Sequence, residues 1–306
     1  MRKVICSGET ILDILFKNQQ PIAAVPGGSS FNCIISLGRA GVPAYFVGET
    51  GTDAVSRQIT EFLKENGVHT DYFSVREDMR TAVSLAYLNE QNDAQYVFYK
   101  ETPKPIRNLR IPDFQAEDIL ILGSYNAICP TLRKQVRLLT SAAQQAESIV
   151  YYDINFRKSH LPEAEALTPA IHENFAVADI VRGSADDFEI LYGCRDAETI
   201  YKERIAPFCP VFICTHADKD LKVCLPQRTL SFAVPSINAV STIGAGDNFN
   251  AGFAYGLMRH GIHKKELPEL PDEKWERLIR CGLYFSADVC QSIHNSIRPD
   301  LDLSCL

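Results

Sequence analysis

The sequence predicts an α/β protein with a doubly wound, mainly parallel central sheet, helices on both faces and a small β-sheet lid. Three observations carry that expectation. Short β-branched or aromatic runs alternate with amphipathic stretches, glycines close the amphipathic stretches, and two segments break the alternation with strand patterns of their own. Val4 to Ser7, Ala44 to Val47, Ile119 to Leu122, Ile149 to Asp153, Asp179 to Val181 and Val211 to Cys214 read as strands buried on both faces, as in parallel sheets. Phe31, Ile34, Ile35 and Gly38 recur at helical spacing before Gly41, and Val55, Ile59, Phe62 and Leu63 do so before Gly67. Gly41 and Gly67 therefore read as helix C-caps. The repeated order of strand, helix, glycine and strand implies right-handed crossovers, with ligands gathered at the strand C-termini.

The first interruption is Ile11 to Val25, where Pro21 and Pro26 break any helix. The second is Thr81 to Leu88 and Ala94 to Lys100, two alternating runs joined by the turn-rich Asn89-Glu90-Gln91-Asn92-Asp93, which predict an antiparallel hairpin. Residues from about 11–26 and 80–101 would form a small sheet, either a lid over a ligand or an ordinary edge hairpin. No repeat, low-complexity tract or linker divides the chain, so residues 1–306 are expected to form one domain.

A chain of 306 residues with 46% hydrophobic content can bury a large core. Its formal charge of -7 argues against nucleic-acid binding, which needs clustered Lys and Arg, and favours a small-molecule ligand. No apolar run approaches the roughly 20 residues of a membrane-spanning helix. Met1 to Ser7 enters a strand without a leader pattern, so the expected location is the cytoplasm. Ten cysteines lie scattered with no C-x-x-C pair and read as reduced core thiols.

The chemistry-bearing stretch is Ser241-Thr242-Ile243-Gly244-Ala245-Gly246-Asp247-Asn248-Phe249-Asn250-Ala251-Gly252-Phe253. Phe249, Phe253 and Leu257 continue at helical spacing, so Gly244 to Gly246 stand where a loop enters a helix. Amides without bulky side chains converge there, the helix dipole adds positive potential, and phosphate is the natural tenant. Asp247 would sit at the edge of that nest as a base for a reacting hydroxyl. Taken alone, the same residues also fit a tight turn with Asp247 as an N-cap. A dinucleotide G-x-G-x-x-G does not fit, because its sixth position is Phe249 and the motif lies late in the chain.

With these residues in view, the sequence resembles the ribokinase-like, or PfkB, carbohydrate kinases, whose C-terminal signature is D-T-x-G-A-G-D-x-F-x-x-G. Thr242 to Gly252 follow it, with Ser241 in place of the leading Asp. An N-terminal signature is similar in Gly27-Gly28-Ser29-Ser30-Phe31-Asn32, Leu37-Gly38-Arg39-Ala40-Gly41 and Val47-Gly48-Glu49-Thr50-Gly51-Thr52-Asp53. Asp153-Ile154-Asn155-Phe156-Arg157 and Phe98-Tyr99-Lys100 look like the D-x-N-x-R and lid F-Y-R of fructokinase-type members. The resemblance spans most of the chain and is weakest after Cys281.

The resemblance implies phosphorylation of a sugar hydroxyl from ATP with Mg2+, fructose being the first candidate. A 2-keto-3-deoxygluconate kinase, another PfkB-type sugar kinase and a sugar-binding protein without kinase activity are the alternatives. It implies Asp247 as catalytic base and Gly244, Ala245 and Gly246 as the anion hole. Asp13, Gly28 and Asn32 would hold sugar hydroxyls, with Lys100 and Arg157 as further substrate contacts and Arg157 also a candidate phosphate contact. Ser184, Thr215 and Asp218 would join Gly244 and Gly246 on the nucleotide, and Asp187 would reach the metal through water. Local alternatives are turn capping for Asp13, helix packing for Asn32 and a solvated surface for Arg157. Ser241 counts against potassium activation, Ser184-Ala185-Asp186-Asp187 replaces the family's N-x-x-E, and Thr215-His216-Ala217-Asp218-Lys219-Asp220 lacks both glycines of its T-x-G-x-x-G. The lid edges offer a surface for a homodimer.

Overall fold

A computed structural model describes residues 2–90, 94–106, 109–217 and 219–306. Its strands are β1 (Val4–Ser7), β2 (Ile11–Lys17), β3 (Gln20–Gly27), β4 (Ala44–Thr50), β5 (Val68–His69), β6 (Phe73–Val75) and β7 (Val83–Leu88). They continue with β8 (Ala94–Tyr99), β9 (Ile119–Gly123), β10 (Ile149–Asp153), β11 (Ile180–Ser184), β12 (Phe212–Thr215), β13 (Leu221–Cys224) and β14 (Thr229–Phe232). The helices are α1 (Ser29–Arg39), α2 (Ala54–Glu65), α3 (Ser124–Ile128), α4 (Arg133–Gln145), α5 (Ala164–Val177), α6 (Ala185–Tyr192), α7 (Ala197–Ile200), α8 (Ala245–Arg259) and α9 (Asp272–Cys290).

Among the described residues the large sheet runs β14-β13-β12-β11-β10-β9-β1-β4-β5, with β6 beside β4. It is parallel from β12 through β5, and only β13 and β14 add as an antiparallel edge. Alternate residues of each inner strand enter different cores, as the period of two demands. Ile119, Ile121, Ile149 and Tyr151 face α1, α2, α8 and α9 with Phe31, Ile59, Phe253 and Trp275. Leu120, Leu122, Val150 and Tyr152 face α4, α5 and α6 with Val136, Ile171 and Phe188. Each such fully buried large side chain contributes about 1.5–3 kcal/mol. The doubly wound layering predicted from the sequence is thus observed. The closing glycines also behave as expected: Gly41 and Gly67 adopt φ of 74° and 72°, one residue beyond the capping Ala40 and Asn66.

From β1 the chain builds outward through β4 and β5, then returns to β9 on the other side of β1 and builds the opposite way. The crevice between β1 and β9 is therefore the switch point where open α/β sheets bind ligands. The second sheet has the order β3-β2-β7-β8 and uses both segments that interrupt the alternation. In it Asp13, Ser84 and Phe98 are cross-strand neighbours and share one face, while Ile14, Leu85 and Val97 share the other. Residues 91–93 of the expected hairpin turn lie outside the described residues.

All ten cysteines are free, and eight of them are buried as expected. The exceptions are Cys194, half-buried, and Cys305, exposed. Among the described residues no helix is long and apolar enough to cross a membrane.

Candidate active site

A cleft of about 790 Å3 opens across the C-terminal ends of β1, β9, β10 and β11, beneath the inner face of the small sheet. Its far wall is the start of α8. Gly244 is the N-cap residue at φ 78°, a left-handed conformation that favours glycine, and no side chain caps the helix. Asn248 pins this entrance: its Nδ2 donates to the carbonyls of Gly244 and Asn295, each at 2.8 Å, and its Oδ1 accepts from the Ser36 hydroxyl. The amides of Gly246 and Asp247 donate to no protein acceptor among the described residues, so they are available to an anion. Ala245 departs from expectation. Its amide donates to the Thr242 carbonyl at 3.2 Å, closing a turn instead of facing the nest.

Asp247 is buried, and both of its carboxylate oxygens are engaged. The Ser29 hydroxyl donates to Oδ1 at 2.6 Å and the Asn32 amide to Oδ2 at 2.8 Å, both from the first turn of α1. Burial pushes its pKa up, the bonds from Ser29 and Asn32 pull it down, and the nearby Asp153 charge pushes it up again. Asn32, expected to hold a sugar hydroxyl, lines the cleft and also donates one amide N–H to the base; among the described residues its other N–H and its Oδ1 remain to meet a ligand. Ser29 carried no role in the sequence reading, and only its place in the Gly27-Gly28-Ser29 run could have marked it.

The sugar end is built by the small sheet and the chain around β1. Asp13 is buried on the inner face, accepts from the Ser84 hydroxyl, and has its pKa pushed up to about 6 by burial, that bond acting in the opposite sense. A Cβ on Gly27 would come within 2.8 Å of Asp13 Oδ2, so this glycine keeps the carboxylate accessible. Gly28 stands at φ 121°, and a side chain there would collide with the Glu9 carbonyl. Tyr96 and Phe98 close the cleft from the small sheet. Lys100 lines it too, but its ammonium pairs with Glu9 at 3.1 Å and lies 5.5 Å from the Phe98 ring centre. Arg157 is exposed at the rim. Between them Asn155 Nδ2 donates to the Ser124 hydroxyl at 2.6 Å, and both residues hold positive φ, 35° and 54°. Non-glycine residues persist in that region only where surroundings fix them, as at binding sites.

At the nucleotide end Ser184 and Asp187 are reciprocal partners in a capping box that starts α6. Asp187 Oδ2 accepts from both the amide and the hydroxyl of Ser184, each at 2.7 Å. Both residues line the cleft. Thr215 does not line it; its hydroxyl accepts from Arg182 at 2.8 Å. Asp218 lies outside the described residues. No cluster of three or more His, Cys, Asp or Glu side chains fit to hold a metal directly occurs among the described residues.

The chain is similar to known proteins in both sequence and fold. The sequence profile of the pfkB family carbohydrate kinases matches residues 1–299. A fructokinase of Escherichia coli is 26% identical over 291 residues, covering 92% of each chain. A fructokinase double mutant from Vibrio cholerae O395, crystallised with fructose, ADP and potassium ion, superposes with a TM-score of 0.82 at 21% identity, covering 96% of this chain and 94% of that one. An aminoimidazole riboside kinase from Salmonella enterica, complexed with aminoimidazole riboside and an ATP analog, gives 0.81 at 21% identity, with coverage of 96% and 95%.

Proposed function

The chain belongs to the pfkB family of carbohydrate kinases, and from that premise we propose that it transfers the γ-phosphoryl group of ATP to a hydroxyl of a free sugar, fructose first. The observation that carries this reading is Asp247, a buried carboxylate held by Ser29 and Asn32 beside its own amide and that of Gly246, which have no protein acceptor among the described residues. The sugar hydroxyl gives its proton to Asp247 as its oxygen attacks phosphorus, and the bond from phosphorus to the β-phosphate oxygen breaks. The amides at the α8 entrance offset charge on the transferring group. Asp13 accepts hydrogen bonds from sugar hydroxyls, and the inner face of the small sheet, closing as a lid, excludes water that would otherwise take the phosphoryl group.

Mg2+, when bound with the nucleotide, neutralises charge on the phosphates. The residues present suit a metal held by phosphate and water, since Asp187 faces the cleft with Oδ2 already committed to Ser184. Potassium activation stays outside the proposal, because Ser241 replaces the family's Asp and its hydroxyl accepts from the Ile243 amide.

An acidic sugar is the second reading, favoured by Arg157 alone, since Lys100 is already paired with Glu9. Sugar-dependent ADP release over a panel of neutral and acidic sugars tests all of this. Fructose turnover is expected, and saturable sugar binding without ADP release would leave a binding protein instead. The reduced thiols fit the cytoplasm, and the apolar outer face of the lid fits a homodimer.

A further inference from the structure

Arg182 is a cation in the middle of a buried strand, and it has no place in the transfer described above. On β11 it shares a sheet face with Asp153, its register partner on β10, and both lie under the first turns of α8. Its Nη1 donates to Asp153 Oδ1 at 3.1 Å and its Nη2 to the Thr215 hydroxyl at 2.8 Å. Nε is buried without a partner among the described residues. Asp153 is itself anchored, because its Oδ2 accepts from Asn250 at 2.7 Å and Asn250 in turn accepts from the Tyr151 hydroxyl at 2.9 Å. The guanidinium is therefore fixed from below by a rigid network.

Its upper side meets the anion nest. A Cβ on Gly246 would stand 3.0 Å from both Nη1 and Nη2, so the glycine allows helix entrance and guanidinium to touch. Arg182 lines the same cleft as Gly244, Gly246, Asp247 and Asp187. A buried ion pair alone stabilises a sheet no better than apolar side chains of equal volume. A planar donor fork beside free amides is, by contrast, the arrangement that grips a phosphate. Arg157, a candidate contact for either substrate or phosphate, stands exposed at the rim of the same cleft, whereas Arg182 is buried under the nest.

Building on the kinase reading, we infer that Arg182 contacts the phosphate chain of the nucleotide from beneath Gly246 and holds its β–γ end in place for transfer. The chemistry recognised is a nucleoside polyphosphate, with the Gly246 and Asp247 amides and the Arg182 fork as joint donors.

The test compares ADP with adenosine, which lacks the phosphates, by calorimetric titration of the sugar-free protein with Mg2+ present. Arg182→Gln is expected to weaken ADP binding about tenfold or more relative to adenosine, the loss of a charge-assisted contact. Asp153→Asn separates contact from scaffolding. It breaks the ion pair but leaves the cation and removes a negative charge, so the ADP preference should hold or rise. An unchanged preference in Arg182→Gln, or an equal loss in Asp153→Asn, overturns the inference. Should the glutamine variant fail to fold, Arg182→Lys decides: it keeps charge without the fork, and a preference about threefold weaker supports the contact while an unchanged one refutes it. Because these are binding measurements without sugar, they stand apart from the acceptor. Wild-type protein that binds ADP but releases none on any sugar would sink the kinase reading and leave this contact intact.

Discussion

Burial raises the pKa of Asp247, so the folded chain favours the protonated carboxyl while proton abstraction needs the charged one. A carboxyl with a raised folded pKa adds stability below its unfolded value and loses it as pH rises through the folded one. At pH 7 the charged base is therefore a strain on the fold, relieved by Asp247→Asn. That variant is expected to lose roughly 10²-fold or more in kcat and to melt no lower than wild type at pH 7. Thermal unfolding beside the kinetic assay checks both, and near-normal turnover would remove Asp247 as the base. Asp13 obeys the same sign in a defined window, from 3.8 to about 6. As pH falls through about 6 it gains a proton and loses an acceptor for sugar hydroxyls, so KM for the sugar should climb. In Asp13→Asn, KM should be high throughout and flat across that window; a slope that persists would assign the titration elsewhere. Neither partner of Asp247 could be read locally, since Ser29 and Asn32 lie 218 and 215 residues away in sequence.

At the level of elements, the signature around Asp247 divides into chemistry and packing. Gly246 and Asp247 face the cleft, whereas Gly252, two turns on, faces α9: a Cβ there would run into the Cys281 carbonyl, and Gly282 leaves equal room for the Phe249 ring. These two glycines let α8 and α9 pack closely enough to close one core. Gly252→Ala should therefore destabilise by about 1–3 kcal/mol, the cost of overpacking, with KM for ATP and sugar unchanged in the protein that remains folded. Denaturant unfolding measures the first and initial rates the second; a selective loss of nucleotide affinity would place Gly252 in the site. The inner strands were legible because short β-branched and aromatic runs, apolar throughout, alternate with amphipathic stretches closed by glycine, and the helix entrance because glycine and helical spacing met there. The antiparallel edge of β13 and β14 and the long α9 were not foreseen. Arg182 was also invisible: inside Ile180-Val181-Arg182-Gly183 it looks like a lone charge, and its meaning comes from Asp153 and Gly246 brought in by other elements.

Across the whole molecule, the small sheet is apolar on both faces, an arrangement that a solvated lid does not need. Its inner face closes on Leu15, Val25 and Ala86 with Asp13 and Ser84 toward the cleft. Its outer face carries Ile22, Tyr87, Val97 and Tyr99, exposed by 49%, 40%, 41% and 62%, and Phe16 stacks on Tyr87 at 5.0 Å. Clustered apolar side chains on one exposed face are of the kind that marks a contact surface, and the proposed homodimer would seat a second copy of the same sheet there, two such sheets packing face to face about 10 Å apart. Val97 lies mid-strand on that face, so Val97→Glu would place like charges near the centre of a symmetric contact and oppose pairing. Sedimentation at about ten micromolar should then show wild type as a dimer and Val97→Glu as a monomer of unchanged fold by circular dichroism. Because the lid also supplies Asp13, Tyr96 and Phe98, a monomer should bind sugar more weakly while its affinity for ADP, set at the α8 entrance, holds. A wild-type chain that sediments as a monomer at that concentration would leave the outer face without this role.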